Sequence, residues 1–163
     1  MFTVEKAKVE QVNEIKALLK HTWINTYHSY FSAETIEVVT STWHDPELLK
    51  QQIQNPKVYF AVAKDENEKI VGIITARRIE NNETLQLDRL YILPSHQNKG
   101  IGKMLFNKTL VEFKGIKTVF VDIEEMNQKA IEFYRKQGFE DYDSSVEKIG
   151  DKTFKVKKMI KRL

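Results

Sequence analysis

Residues 87–105, Leu-Asp-Arg-Leu-Tyr-Ile-Leu-Pro-Ser-His-Gln-Asn-Lys-Gly-Ile-Gly-Lys-Met-Leu, run from a strand-like segment through a proline and a glycine-bearing turn into a helix. Leu85 to Leu93 reads as the strand, closed by Pro94, and Gly100 to Phe113 as a helix that offers Ile101, Leu105, Leu110 and Phe113 to a core. Between them lies Gln97-Asn98-Lys99-Gly100-Ile101-Gly102-Lys103, placed where free backbone N–H groups and the positive end of a helix can hold a diphosphate. A third glycine for the dinucleotide pattern is missing, and so is Gly-x4-Gly-Lys-Ser/Thr, which disfavours a redox nucleotide or ATP. On its own the turn reads equally as an ordinary loop whose glycines relieve a tight connection.

Upstream, Phe2 to Val9 alternates apolar and charged residues as a half-buried strand would. A helix is expected from near Glu10, carried by Val12, Ile15, Leu18, Leu19 and Trp23 and continued by Tyr27, Tyr30 and Phe31. Ser32 reads as the cap of a second helix, and Asp45-Pro46-Glu47 starts a third over Pro46 to Gln54. Val58 to Lys64 and Lys69 to Glu80 form a hairpin around Asp65-Glu66-Asn67-Glu68. Downstream come a strand from Thr118 to Ile123, a helix from Asn127 to Gln137 stopped by Gly138, and a hairpin of Phe139 to Val146 with Thr153 to Ile160 around Gly150-Asp151. Adjacent hairpins mixed with βαβ crossovers imply an α/β chain, one mixed sheet with helices on its faces. No repeat or linker divides the chain, so residues 1–163 are expected to form a single domain.

Composition mainly excludes. Among 163 residues there is no cysteine, which removes disulfides, thiolate metal sites and a cysteine-bound acyl intermediate. His21, His28, His44 and His96 lack metal-ligand spacing, so no metal is expected. A net charge of +3, concentrated in Lys155, Lys157, Lys158, Lys161 and Arg162, is too small and too local for a general nucleic-acid binder. That basic run reads instead as a charged edge strand. No apolar run approaches the ~20 residues of a membrane span and the first residues do not resemble a leader, so a soluble cytoplasmic protein without membrane or nucleic-acid partners is expected.

The 87–105 stretch resembles the acetyl-CoA-binding segment of the GCN5-related N-acetyltransferase (GNAT) superfamily, whose signature Arg/Gln-x-x-Gly-x-Gly/Ala is met by Gln97, Gly100 and Gly102. A second family signature is met by Asn127-Gln128-Lys129-Ala130-Ile131-Glu132-Phe133-Tyr134 with Gly138-Phe139, and the element order agrees along essentially the whole chain. The resemblance implies a GNAT-like fold, acetyl-CoA as cofactor and a homodimer. It places the pyrophosphate on the backbone of Gln97, Asn98, Lys99, Gly100, Ile101, Gly102 and Lys103, and the pantetheine beside Tyr91, Ile92 and Leu93 in the manner of an added strand. Asn127 then contacts the pantetheine region, Tyr134 protonates the departing thiolate, and the N–H of Leu90 or Ile92 polarises the thioester carbonyl. From helical spacing alone Tyr134 would read as a core-facing aromatic with a satisfied hydroxyl.

Acetyl transfer requires an amine free of its extra proton and a donor for the thiolate. Without a cysteine, direct attack in a ternary complex is favoured over an acyl-enzyme. Where some family members carry a glutamate base this chain has Gln86, so Asp88, two residues on, becomes the leading base, with water, Glu124 or Glu125 as alternatives. Asp88 also reads as an arginine-paired surface carboxylate. A narrower resemblance, to PaiA-type spermidine/spermine acetyltransferases, rests on Thr22-Trp23, Thr26-Tyr27, Phe31, Asp88 to Ile92, and Lys148 to Asp151. Glu124 departs from it, standing where that group has tryptophan. The acceptor site is therefore expected to include Trp23, Tyr27, Asp88, Glu124 and Glu125, an acidic pocket suited to a small primary amine, polyamines included. Acetylation of a protein N-terminus or lysine, and a non-catalytic acyl-CoA sensor, are the alternatives.

Overall fold

A computed structural model describes residues 1–79, 81–149 and 152–163. In chain order the elements are β1 (Thr3–Lys6), α1 (Val12–Tyr27), α2 (Ala33–Thr42), α3 (Pro46–Gln54), β2 (Val58–Lys64), β3 (Ile70–Ile79), β4 (Thr84–Ile92), α4 (Ile101–Glu112), β5 (Thr118–Glu124), α5 (Gln128–Lys136), β6 (Glu140–Ile149) and β7 (Lys152–Arg162). One sheet of seven strands, ordered β1-β2-β3-β4-β5-β7-β6, joins them, and only β4 with β5 is parallel. Parallel neighbours need a crossover, here the turn and α4. This is the mixed α/β sheet expected.

Local chemistry sets the helix starts. Ser32 accepts from the Thr35 amide at 3.1 Å. Asp45 accepts from Glu47 and Leu48 at 3.1 and 3.2 Å, and Pro46 occupies the first turn of α3, where its missing N–H costs nothing. The first strand is shorter than expected. The Ala7 amide still bonds to Phe60 O, but Lys8 N–H turns to the Gln11 side chain and a 3-10 turn at Val9–Gln11 leads into α1.

Helices cover both faces. On β3 and β4, Gly72 pairs with Ile92 and Ile73 with Tyr91, so the two pairs point to opposite sides. A Cβ on Gly72 would meet the side chains of Ile92 at 2.7 Å and of Ile101 and Leu105 at 3.3 Å, which puts α4 on that side. Tyr91 meets Trp23 of α1 on the other, and α2 and α3 lie with α1. Phe106 stacks on Phe139, and Phe139 on Tyr134, which fixes α5 beside α4. The larger core, including Ile15, Leu19, Val62, Ile73, Leu85 and Leu105, fills both sides of the central strands.

The C-terminal strand corrects one expectation. β7 is not an edge: it pairs with β5 on one side and β6 on the other. Two of its cations are spent on β6, Lys157 on Asp141 at 2.6 Å and Arg162 on Glu140. The edge is β6, exposed along nearly its whole length and studded with Glu140, Asp141, Asp143, Glu147 and Lys148, which discourages a further strand from pairing. Glu80 and the Gly150-Asp151 turn of the sequence reading lie outside the described residues.

Candidate active site

The two parallel strands part halfway. β4 and β5 pair only from Thr84–Thr118 to Leu87–Val121, although β4 continues to Ile92 and β5 to Glu124. On its other side β4 stays paired with β3, with one irregularity: Thr75 faces Arg89 and Ala76 faces Leu87, leaving Asp88 as an extra residue. Such a bulge adds local twist and shifts the side-chain alternation by one. Gln86 and Asp88 therefore share the α1 face with Arg89 and Tyr91, whereas the sequence pattern carries Gln86 and Asp88 straight on to Leu90.

The backbone of the unpaired half is directional. Leu93 N–H bonds to Val71 O at 2.9 Å, so residues of that parity spend their main-chain groups on β3, and those of Leu90 and Ile92 face the gap. Ile92 O accepts from Gln97 Nε2 at 3.1 Å. The gap-facing amides of Leu90 and Ile92 have no strand partner among the described residues.

Below the gap the chain makes the glycine turn. Asn98 and Gly100 hold φ of 61° and 80°, left-handed values, and a Cβ on Gly100 would point into open space. Gly100 is thus required by conformation rather than crowding. The first helical bond of α4 runs from Met104 N–H to Gly100 O, so the amides before it lack intrahelical acceptors and sit at the positive end of the helix. Gly102 is required by contact, because a Cβ there would stand 3.2 Å from the Phe133 ring of α5. Asn98, Lys99 and Lys103 are exposed, whereas the Ile101 side chain is buried in the core and contributes only backbone. An open cradle of amides beside an unpaired strand edge fits a diphosphate followed by an amide-bearing arm, the chemistry of coenzyme A.

On the far side of the gap, Asn127 caps α5 by accepting from Ala130 N–H at 3.2 Å. Tyr134 lies against Phe133 and Phe139, its hydroxyl without a hydrogen bond among the described residues, and burial raises its pKa, so it is protonated at neutral pH. Tyr91 is near enough to add to that shift. Burial likewise pushes the Tyr91 phenol up to about 12, with Glu124 adding to the shift.

A cavity of about 430 Å³ opens on the α1 face, lined by Trp23, Trp43, His44, Gln52, Val58, Thr75, Arg77, Asp88, Arg89, Tyr91, Asp122 and Glu124. Trp23 donates to Tyr91 Oη at 3.2 Å, and the buried Tyr27 hydroxyl donates to Glu124 at 2.6 Å, so both aromatics of α1 brace groups at the gap. Desolvation raises the Glu124 pKa above the usual carboxylate value, only partly offset by the Tyr27 bond.

The acidic pocket of Asp88, Glu124 and Glu125 expected from the sequence forms with a different membership and with two arginines, Arg77 and Arg89, in its lining. Arg77 grips both oxygens of Asp88, at 2.9 and 3.2 Å, so the leading base of the sequence reading has each oxygen bonded to a cation. Glu125 is exposed and outside the lining, while Asp122, 3.4 Å from the Gln86 amide, lies inside it. Arg77, Trp43, His44, Gln52 and Thr75 belong to no sequence motif, and Arg89 entered only within the Asp88 to Ile92 stretch, with no role at the site. They come from three elements, α3, β3 and β4, and the loop between α2 and α3, and no local spacing connects them. Burial pushes the His44 pKa down to about 3, with the Arg89 and Lys16 charges adding to the shift, so the ring is neutral near pH 7.

Comparison with known proteins agrees with this geometry. Over its full length the chain resembles the PaiA N-acetyltransferase of Thermoplasma acidophilum, crystallised with coenzyme A. The TM-score is 0.84 at 25% identity, covering 100% of this chain and 99% of that one. Fold similarity extends to the Vibrio cholerae spermidine N-acetyltransferase, solved with coenzyme A and spermine, at a TM-score of 0.73, 20% identity and coverage of 99% and 95%. Among curated proteins it is 31% identical over 87 residues to the ribosomal protein bS18-alanine N-acetyltransferase of Haemophilus influenzae, a match spanning 52% of this chain and 58% of that protein. A family profile described as acetyltransferase (GNAT) matches residues 16–139, from inside α1 through the parted strands and the glycine turn to the end of α5. With the signature glycines at the head of α4 and the match enclosing the whole gap, the chain belongs to the acetyltransferase (GNAT) family.

Proposed function

We propose that this protein is an N-acetyltransferase that moves acetyl from acetyl-CoA to a primary amine of a small molecule by direct attack. The observation that carries the reading is the parting of β4 and β5 between the amide cradle of α4 and the cavity on the α1 face. One opening thereby reaches both a diphosphate site and an acceptor site. Acetyl-CoA, when bound, supplies an activated thioester.

The chain's own groups divide the remaining work. Glu124, lining the cavity with its pKa raised by burial, takes the proton of the incoming ammonium and leaves the nitrogen lone pair free to attack. It replaces Asp88 in that role because Arg77 holds Asp88. Gap-facing amides of Leu90 and Ile92 donate to the carbonyl oxygen as negative charge develops there. With acetyl-CoA bound, the Tyr134 hydroxyl would give its proton to the sulfur as the C–N bond forms and the C–S bond breaks, and the second proton shed by the nitrogen as the amide forms would restore the phenol. Asn127 and the backbone from Tyr91 to Leu93 align the pantetheine arm, and Trp23 and Tyr27 hold Tyr91 and Glu124 in place.

Coenzyme A release measured against a panel of amines tests this directly. Spermidine, spermine, lysine peptides and peptides with free N-termini belong in the panel because similar proteins are named for spermidine, peptidyl-lysine and ribosomal-protein alanine, and free amino acids extend it to other small amines. Transfer to at least one small amine, abolished in Tyr134→Phe with coenzyme A binding intact, is expected. Transfer to peptides alone would move the assignment to a protein acetyltransferase, and coenzyme A binding without transfer to any amine would make the chain a sensor.

A further inference from the structure

The cavity has two chemically distinct kinds of lining. Toward β5 stand Asp122 and Glu124, both carboxylates. Arg89, tied to α3 and to the end of α2, also lines the cavity, with Thr75 opposite Arg89 on β3 and His44 in the α2–α3 loop. Arg89 donates from Nη1 to Gln52 Oε1 at 2.5 Å and from Nη2 to the Trp43 carbonyl at 3.1 Å. Both partners are neutral, and among the described residues no carboxylate lies within ion-pairing distance of this guanidinium. Two of its five N–H donors are thereby used. His44 and Thr75 are 2% and 1% exposed, and neither His44 Nδ1 nor Thr75 Oγ1 has a hydrogen-bond partner among the described residues. Buried polar atoms without partners are costly, and so is a partly buried cation with no direct ion pair, its neighbour Asp88 acting on it only through space while bonded to Arg77, unless a ligand completes them. A planar carboxylate does this: it accepts two N–H bonds from a guanidinium and leaves further lone pairs for a hydroxyl and a neutral imidazole N–H.

We propose that the acceptor is an amine that also carries a carboxylate, an amino acid in the broad sense, bound with its carboxylate on Arg89, Thr75 and His44 and its amine toward Glu124. This rests on the acetyl-transfer reading and narrows its substrate class. A polyamine would meet the guanidinium with a second positive charge and offer no acceptor for its free N–H groups. Trp23 and Trp43, which line the cavity between α1 and α2, offer apolar surface for the carbon skeleton.

Matched pairs that differ only in the carboxylate test the idea: phenylalanine against phenethylamine, 5-aminopentanoate against pentylamine, with spermidine as the polycation. At least one amino acid is expected to exceed its decarboxylated partner in kcat/KM by more than tenfold. Arg89→Gln should lower kcat/KM for that amino acid by about 100-fold, chiefly through KM, while changing the value for the matched amine less than threefold. Binding read from Trp23 and Trp43 fluorescence supplies an arm independent of turnover. Saturable quenching by an amino acid that Arg89→Gln abolishes supports the site even if no acetyl moves, in which case only the acetyl-transfer reading fails. Preference for spermidine or the simple amines, or amino-acid binding unaffected by Arg89→Gln, overturns the proposal and leaves acetyl transfer standing. Thr75→Val, isosteric and lacking the hydroxyl, should reproduce a smaller loss of the same kind and guards against misfolding of the arginine variant.

Discussion

The two halves of β4 have opposite roles although they are one strand. From Thr84 to Leu87 it is paired on both sides and fully buried, and its backbone and side chains serve the sheet. From Asp88 to Ile92 it is paired on one side only, its residues are half-buried or exposed, and its free edge, bulge and side chains serve the gap and the cavity. Stability and chemistry are thus divided along a nine-residue strand at the bulge. Substitutions on the two sides should be separable by what they damage.

The largest effect falls on the functional side. Tyr134→Phe, which deletes the proposed proton donor, should lower kcat by about 10²–10⁴, the usual worth of a positioned acid. Coenzyme A affinity by calorimetry should be unchanged, and an equal loss of affinity would show the tyrosine to be structural. The paired half answers differently. Leu85→Ala leaves a void at a fully buried position and should cost about 2–5 kcal/mol in chemical denaturation, with kcat/KM of the folded fraction unaltered. A loss of kcat/KM there would break the division at the bulge.

Glu124→Gln sharpens the comparison across the gap. A tenfold or greater fall in kcat is expected, with a change of pH profile. Because burial raises the Glu124 pKa, the acid limb of the wild type should lie above the ordinary glutamate range, activity falling as the group protonates, and the glutamine variant should lose that limb. The same shift has a stability sign. The native state holds this proton more tightly than the unfolded chain, so its contribution is full below the unfolded value and is lost as pH rises through the folded one. Smallest is Asp45→Ala. Loss of the α3 cap should cost about 1 kcal/mol, and Gln52, which holds Arg89 from the same helix, should carry a slight KM effect with it.

His44 adds a pH dependence of opposite sign. Its folded pKa is depressed to about 3, so the stability it contributes is present above the ordinary histidine value and declines as pH falls toward 3. His44→Phe should flatten acid denaturation in that window if neutrality of the buried ring is the cause.

The glycine turn, the caps of α2 and α3 and the boundaries of α3 and β2 were legible because each is a local signal: a φ that glycine tolerates, a side chain reaching amides two or three residues on, a proline in a first turn. The α4 and α5 signatures were legible as motifs, and they also explain each other, since Gly102 is small where Phe133 arrives. Asp88 shows where local reading stops. Period-two alternation assumes an unbroken ladder, and the bulge at Thr75 and Ala76 belongs to the pairing of two strands rather than to either alone.

By itself the sequence determined the order of elements, the cradle at the head of α4, the absence of any cysteine nucleophile and the family to which the chain belongs, because short-range geometry and signature residues encode these. Tertiary structure alone decided that β7 is interior, that Arg77 occupies Asp88, and that Arg89, His44 and Thr75 meet Glu124 across one cavity. Charge and hydrogen-bonding capacity are properties of residues. Whether they are spent on a neighbour or left for a ligand depends on partners that lie tens of residues away and meet only when the sheet closes.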